Sequence, residues 1–353
     1  MMILTVVFYF FLACTGIQII YYLCFSPFIF RQKKIDKKTE SSPVSAILDA
    51  KNSTAELHEN LPFVIAQTYP IFEIVLIDNA YSDDISEIME VFQEKNENIK
   101  IVAVKNTEAF WSNKKYPLTL GKKSAKYDHL LCTDANSKPI RKSWIFEMSA
   151  MFTLKRTIFL GYEKFKSEKT FTNLLIRFYS LLQALKCFSF AKITTLFMAF
   201  GRNLAYTKSE FFKVNGFINH IKIIYGEDDL FIRDAGSKKN IAFSISEDSF
   251  IEMEPHKSFK EWFQYVRITN SLRVNYKFKH RFLLSLFIFS KTFFYVLAIV
   301  LFFFYSMEII GFCILAYVLV QYLVIGFSAK KTKRISINLF LTFFRNWIII
   351  DSN

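Results

Sequence analysis

Oxygen-rich side chains stand at several places in this chain where chemistry is feasible. In HLLCTDANSKPI (129–140) an apolar run, His129 to Cys132, ends in Thr133-Asp134-Ala135-Asn136. A carboxylate at the end of a buried strand, with another oxygen side chain two residues on, suits a hard divalent cation. Asn136 brings an amide oxygen without charge, so the pattern reads as a weakened metal site or as a turn. In YGEDDLFI (225–232), Glu227, Asp228 and Asp229 follow a glycine and are framed by Tyr225, Leu230, Phe231 and Ile232. Apolar surroundings raise a carboxyl's pKa and fit it for general-base work. Further apolar runs end in Asp49 and in Asp78-Asn79.

These residues need a frame. VSAILDA (44–50), FEIVLIDN (72–79), NIKIVAVKN (98–106) and YDHLLCTDA (127–135) read as strands. STAELHENLPFVIAQ (53–67), with Ser53 or Thr54 as cap, DDISEIMEVFQEK (83–95) and a stretch near 115–126 read as helices. Strands alternating with helices predict a parallel sheet covered on both faces. Ligands of such sheets bind beyond the carboxyl ends of the strands, where Asp49, Asp78-Asn79 and Asp134 to Asn136 all fall. No G-x-G-x-x-G or G-x-x-x-x-G-K-[ST] sequence occurs. A nucleotide held here would rely on side-chain oxygens, basic groups and a cation instead of a glycine loop. The five His are scattered, with no Ser-His-Asp order, and His256 in EPHKSF is the nearest to a site role.

Hydrophobic residues make up 52% and aromatic residues 18% of the 353, with 42 Phe. That is too apolar for an ordinary soluble protein. Residues 1–30 carry no charge. At about 20 residues per span they can cross a bilayer, and they exceed a signal peptide's apolar region, so a retained anchor is expected. Residues 281–329, uncharged over 292–307 and 309–329, read as two spans joined by a short turn, with Lys291 interrupting the first. Basic clusters lie at Arg31, Lys33, Lys34, Lys37 and Lys38; at Lys277, Lys279 and Arg281; and at Lys330, Lys331, Lys333 and Arg334. Three spans place all three clusters on one side, which the positive-inside rule makes the cytosol. The net charge of +14 owes 12 of its 45 Lys and Arg to these flanks. Attraction to anionic lipid accounts for them, and no nucleic-acid motif accompanies them, so nucleic acid is not an expected partner. Three spans without a mid-span acid disfavour a transporter. The five Cys form no CxxC pair and read as buried hydrophobes in a reducing compartment.

The expected organisation is an anchor (1–30), a basic and polar linker (31–43), a cytosolic domain (44–280), two spans (281–329) and a basic, amphipathic tail (330–353). Within the domain, 170–200 is apolar and aromatic, with Arg177, Lys186 and Lys192 spaced through it. It reads as an amphipathic helix against the membrane surface or as a core helix.

The order of SAILDAKN, LPFVIAQTYPIFEIVLIDNAYSDD, CTDANSKP, GRNLAYTKSEFFKVNGF, GEDDLF and KSFKEWFQYVRI resembles that of family 2 glycosyltransferases. The resemblance covers roughly 43–270, and the membrane-anchored bacterial members are most similar. It implies an α/β GT-A domain, the nucleotide-diphospho-sugar transferase fold with a mixed, mostly parallel sheet. An N-terminal transmembrane helix and a C-terminal transmembrane hairpin would hold it to the bacterial cytoplasmic membrane, with the catalytic domain in the cytosol.

The resemblance also implies roles. Asp49, Asp78 and Asn79 would face the base and ribose of a nucleotide-sugar donor. Asp134 and Asn136 fall at the DxD position, which binds the donor diphosphate through Mg²⁺ or Mn²⁺. Arg202 and Asn203 of GRN (201–203) would line the sugar and acceptor region, and Lys115 belongs to a Lys pair common after the third strand. Gln264 and Arg267 match a QxxRW element over the diphosphate, with Ile268 in place of Trp. Asp228, between Glu227 and Asp229, falls at the catalytic base. The implied reaction is inverting transfer of a sugar to a hydroxyl of a lipid-linked or cell-surface glycan. Asn79 and Asn136 stand where the family has Asp. They motivate the alternative of a weak or inactive glycosyltransferase-like subunit that binds or scaffolds during glycan assembly.

Overall fold

Runs of β-branched and aliphatic residues, spaced by polar helix formers, build the sheet that carries the site. The computed structural model describes residues 2–26, 41–50, 54–78, 83–104, 114–193, 196–304 and 307–331. Its contacts divide the chain into two units, one of 32–180 and 194–262, the other of 1–31, 181–193 and 263–353.

After the N-terminal helix α1 (Met2–Phe25) come β1 (Val44–Asp49), α2 (Thr54–Ile65), β2 (Phe72–Asp78), α3 (Asp83–Lys95), β3 (Ile99–Ala103), α4 (Lys115–Ser124) and β4 (His129–Asp134). These strands pair in parallel in the order β3-β2-β1-β4. The chain continues through β5 (Ser137–Pro139), α5 (Trp144–Ser149), β6 (Ile158–Leu160), β7 (Glu163–Phe165), α6 (Phe171–Ile193), β8 (Leu204–Thr207), α7 (Lys208–Lys213), α8 (Glu227–Ala235), β9 (Ile241–Phe243) and β10 (Ile251–Met253). Strands β8, β6 and β9 extend the sheet, and β8 alone runs against its neighbours. The sheet is therefore mixed and mostly parallel, the GT-A arrangement expected. A small sheet, β5-β10-β7, lies apart from it in pairing.

Alternation along the strands directs Ala46, Leu48, Ile74 and Leu76 into one core. Leu57, Leu61 and Val64 of α2, at helical spacing, meet them there, with Trp144 and Met148 of α5. All are 0–1% exposed, and burial of each Leu, Ile, Val or Met among them stabilises the fold by about 1.5–3 kcal/mol.

The other unit holds α1, the C-terminal half of α6, most of α9 (Phe259–Ser271), α10 (Phe278–Phe302) and α11 (Met307–Lys331). Among the described residues four helices are long and apolar enough to cross a membrane: Met2–Phe25, Phe171–Ala191, Phe278–Phe302 and Glu308–Lys330. Polar contacts tie three of them: the Gln18 amide donates to Phe287 O at 2.9 Å and Ser290 Oγ at 2.8 Å, and Gln321 donates to Tyr22 Oη at 2.7 Å. In a bilayer, where lipid provides no hydrophobic drive between helices, such bonds would help to hold them together. Helix α10 runs unbroken through Lys291, which is buried. Within 170–200, Phe171–Ile193 form one helix, buried on most sides from Leu175 to Phe190. Two of its charges are met locally: Arg177 donates to Ser167 Oγ at 2.8 Å and Lys186 to Gln183 Oε1 at 3.4 Å. Residues 31–40 of the linker, Asn79 and the tail beyond Lys331 lie outside the described residues.

Candidate active site

Parallel pairing sets Asp49 of β1 directly beside Asp134 of β4. Two carboxylates side by side at a sheet edge repel, so a cation is needed between them. Lys114, at the start of α4, supplies it. Its Nζ lies 3.0 Å from Asp134 Oδ1, 3.3 Å from Asp49 Oδ2 and 3.7 Å from Glu227 Oε1. Burial disfavours the ammonium, but the carboxylates of Asp134, Asp49 and Glu227 outweigh it and hold Lys114 protonated. Burial likewise pushes Asp49 above the usual carboxylate range against the pull of Lys114. For Asp134 the same burial is overcome by Lys114 and Arg202, which hold it below that range.

The turn carrying Asp134 is fixed by its own bonds. Ala135 N donates to Asp49 O at 3.0 Å, Asn60 Nδ2 to Ala135 O at 2.9 Å and Ser137 Oγ to Asp134 O at 2.8 Å. Asn136 Oδ1 is buried and, among the described residues, has no hydrogen-bond partner.

Gly226, at φ 78°, turns the chain into α8. A glycine takes this left-handed conformation without strain. The first turn of α8 then holds Glu227, Asp228 and Asp229, at the helix end that favours negative charge. They diverge. Glu227 faces Lys114, and Asp229 turns inward to accept Ala199 N at 2.8 Å. Asp228 packs on Gly201, where any Cβ would overlap its carboxylate. Burial first, then the charge of Glu227, pushes Asp228 up to about 8.

Arg202 pairs through Nε with Asp134 Oδ2 at 3.1 Å, and its backbone N donates to Glu163 Oε1 at 2.8 Å. Glu163, pushed up to about 7 by burial, backs Arg202 from β7. The charged alternation EKFK gave no sign of this role. Lys114 was visible only as half of a pair.

Other expected site residues have other surroundings. Asn203 is fully buried, giving Nδ2 to Tyr162 O and Ser249 O and accepting from Trp144 Nε1 at 3.0 Å. Lys115 turns away, its ammonium donating to His220 O at 2.8 Å and to Ile223 O. Asp78 is buried at the end of β2 and accepts Ser86 Oγ at 2.6 Å. Gln264 and Arg267 lie on α9 in the other unit and are exposed.

The chain matches the family model "Glycosyl transferase family 21" over residues 6–351. It belongs to that family. The motif resemblance noted above, to family 2, holds at the level of a GT-A glycosyltransferase. No curated protein sequence matches. Among solved structures this glycosyltransferase is similar to the mannosyltransferase PcManGT from Pyrobaculum calidifontis in complex with GDP-Man and Mn²⁺. Identity is 13%, with 98% of each chain covered and a TM-score of 0.63. It also matches S. aureus TarS 1–349 at 15% identity, covering 86% of this chain and 91% of that one, with a TM-score of 0.44. The first likeness supports the fold.

Proposed function

We propose that this family 21 member is an inverting glycosyltransferase that moves a sugar from a nucleoside-diphosphate sugar to a hydroxyl of a lipid-linked glycan or glycolipid. Its site would face the cytosol beside a bacterial cytoplasmic membrane. The observation that carries the reading is the Lys114 ammonium clasped by Asp49, Asp134 and Glu227. It joins the strand-end acids to the helix that bears Asp228.

In the proposed step Asp228 takes the proton of the acceptor hydroxyl. The acceptor oxygen bonds to the anomeric carbon from the face opposite the leaving group. The bond from that carbon to the donor phosphate oxygen breaks, and its electron pair leaves with the nucleoside diphosphate. A carboxyl with a raised pKa is a stronger proton acceptor once ionised. Lys114 and Arg202 supply positive charge where the diphosphate would gather negative charge. Asp49 and Asp78, at strand ends, are the proposed contacts to the nucleoside, joined by Asn79, and Glu163 steadies Arg202.

Asp134 and Asn136 fit a hard cation. Both offer oxygen, and the unpartnered amide oxygen of Asn136 is an acceptor awaiting a donor or an ion. Among the described residues no group of three His, Cys, Asp or Glu is placed to hold a metal, so the donor phosphates would complete the shell. Mg²⁺ or Mn²⁺ bound there would neutralise charge on the departing diphosphate. The solved mannosyltransferase structure contains GDP-Man and Mn²⁺, which is consistent with this ligand set.

The test is release of nucleoside diphosphate by the purified full chain, over a panel of nucleotide sugars with Mn²⁺, against Asp228→Asn. Turnover abolished by that substitution supports the reading. Turnover that survives it removes Asp228 as base. Binding of a donor without any turnover favours the inactive-subunit alternative that Asn79 and Asn136 motivate.

A further inference from the structure

Helix α4 carries a buried cation, Lys122, to which the transfer step gives no role. The residue is 2% exposed. An ammonium taken out of water is destabilising unless other groups replace its hydration. Here aromatic faces do so. Its Nζ lies 4.3 Å from the ring centre of Phe217, 4.8 Å from that of Phe211 and 5.6 Å from that of Tyr206 on β8. Ring faces are negative and attract a cation at such distances.

These rings reach the helix of the base. Phe231 of α8 packs on Tyr206, with ring centres 4.5 Å apart, and on Phe211 at 5.5 Å. Phe217 meets Phe211 edge-on at 5.0 Å. Phe231 lies three residues beyond Asp228 on α8, and residues three apart share a helix face. A continuous path of contacts therefore runs from Lys122 through the rings to the helix that bears Asp228. All of it belongs to the unit that holds the main sheet.

Charge follows the same path. Burial, with a smaller push from Lys114, holds the Lys122 ammonium below the usual lysine range, against the pull of Cys132, Asp228 and Glu227. Asp228 is raised by burial and by Glu227, and Lys114 and Lys122 of α4 oppose that rise. Asp134 of β4 adds to it.

We propose that Lys122 is a positioning residue for the transfer step. Through Tyr206, Phe211 and Phe231 it seats α8, and its positive charge favours the ionised, proton-accepting form of Asp228. The proposal rests on Asp228 as the base.

The test is the pH profile of kcat/KM for UDP or GDP release by the full chain, from the sugar donor that the panel above identifies. Wild type is compared with Lys122→Met, Lys122→Arg and Lys123→Met. Lys122→Met keeps an apolar stem and removes the charge. Its acid limb is expected to lie at higher pH, with kcat/KM at neutral pH lowered at least about fivefold, the scale of one opposite charge lost beside an acid. The loss should fall on kcat, with donor KM unchanged, and should narrow well above pH 8, where Asp228 ionises in both proteins. Lys122→Arg keeps a cation that stacks on rings and is expected to bring the limb back. Lys123, next along α4, is exposed, and Lys123→Met is expected to leave the limb in place. A rise in Tm on adding UDP or GDP shows that each variant is folded. Lys122→Gln carries the same expectation should Lys122→Met not fold. An unmoved limb in Lys122→Met overturns the proposal. So does an equal move in Lys123→Met, an Arg variant no better than Met, or a loss of kcat that is the same at every pH. Turnover that survives Asp228→Asn removes the base and the proposal together, whereas turnover that needs Asp228 and ignores Lys122 removes the proposal alone.

Discussion

Asp228 packs its carboxylate over the Cα of Gly201, in the volume that any larger residue at 201 would fill. The glycine of GRN and the acid of GEDDLF are thus two halves of one feature, although they belong to different elements. Gly201→Ala is expected to displace Asp228 and lower kcat at least about tenfold, the usual scale for a misplaced catalytic group. In an Asp228→Asn background the same change should lower kcat no further. Independent, additive losses in that double-mutant cycle would contradict the coupling.

Asp228→Asn itself is expected to lower kcat by about 10²–10⁴, the range for a lost general base. The pH profile gives a second check. Asp228 titrates up to about 8, so in the free protein kcat/KM should rise as pH approaches that value and the base ionises. The linkage runs the other way for stability. An acid whose folded pKa is raised stabilises the fold at low pH, and that contribution is lost as pH climbs through about 8. Asp228→Asn should therefore raise Tm above that pH while abolishing turnover.

Lys114→Met removes the cation shared by Asp49, Asp134 and Glu227. Lys114 is about a quarter exposed, so the loss falls between the values for surface and buried pairs, about 2 kcal/mol. Without Lys114, Asp134 loses the first of the two cations that hold its pKa low. The destabilisation should then be large at neutral pH and shrink toward the pH where the carboxylates protonate. Equal Tm losses at both ends would exclude electrostatic repulsion as the cause.

Glu163→Gln keeps an oxygen for Arg202 N but removes a charge. Glu163 titrates near 7. Donor KM should match wild type below that pH and exceed it severalfold above, where wild-type Glu163 is ionised and holds Arg202. A pH-independent difference would mean Glu163 acts by shape alone.

Asn136→Asp restores a carboxylate beside Asp134. Cation affinity rises with ligand charge, so the Mn²⁺ concentration giving half-maximal Tm shift or activity should fall by about tenfold. EDTA should suppress wild-type turnover more readily than that of the variant.

By itself the sequence determined the repeating strand-and-helix order, the strand ends that carry Asp49, Asp78 and Asp134, and the apolar helices. Periodicity and length are local properties, and burial preserved them. Only tertiary structure decided which neighbour serves the site. Lys114 and Lys115 are adjacent, yet successive helical residues point about 100° apart, and packing sent one to the acids and the other to the carbonyls of 220–223. The same holds for Asn203, drawn into the core by Trp144 and Tyr162, and for Glu163, a charged strand residue that became the buried support of Arg202. Such roles depend on charges from distant segments sharing a small volume with little water, and no spacing along the chain encodes that meeting.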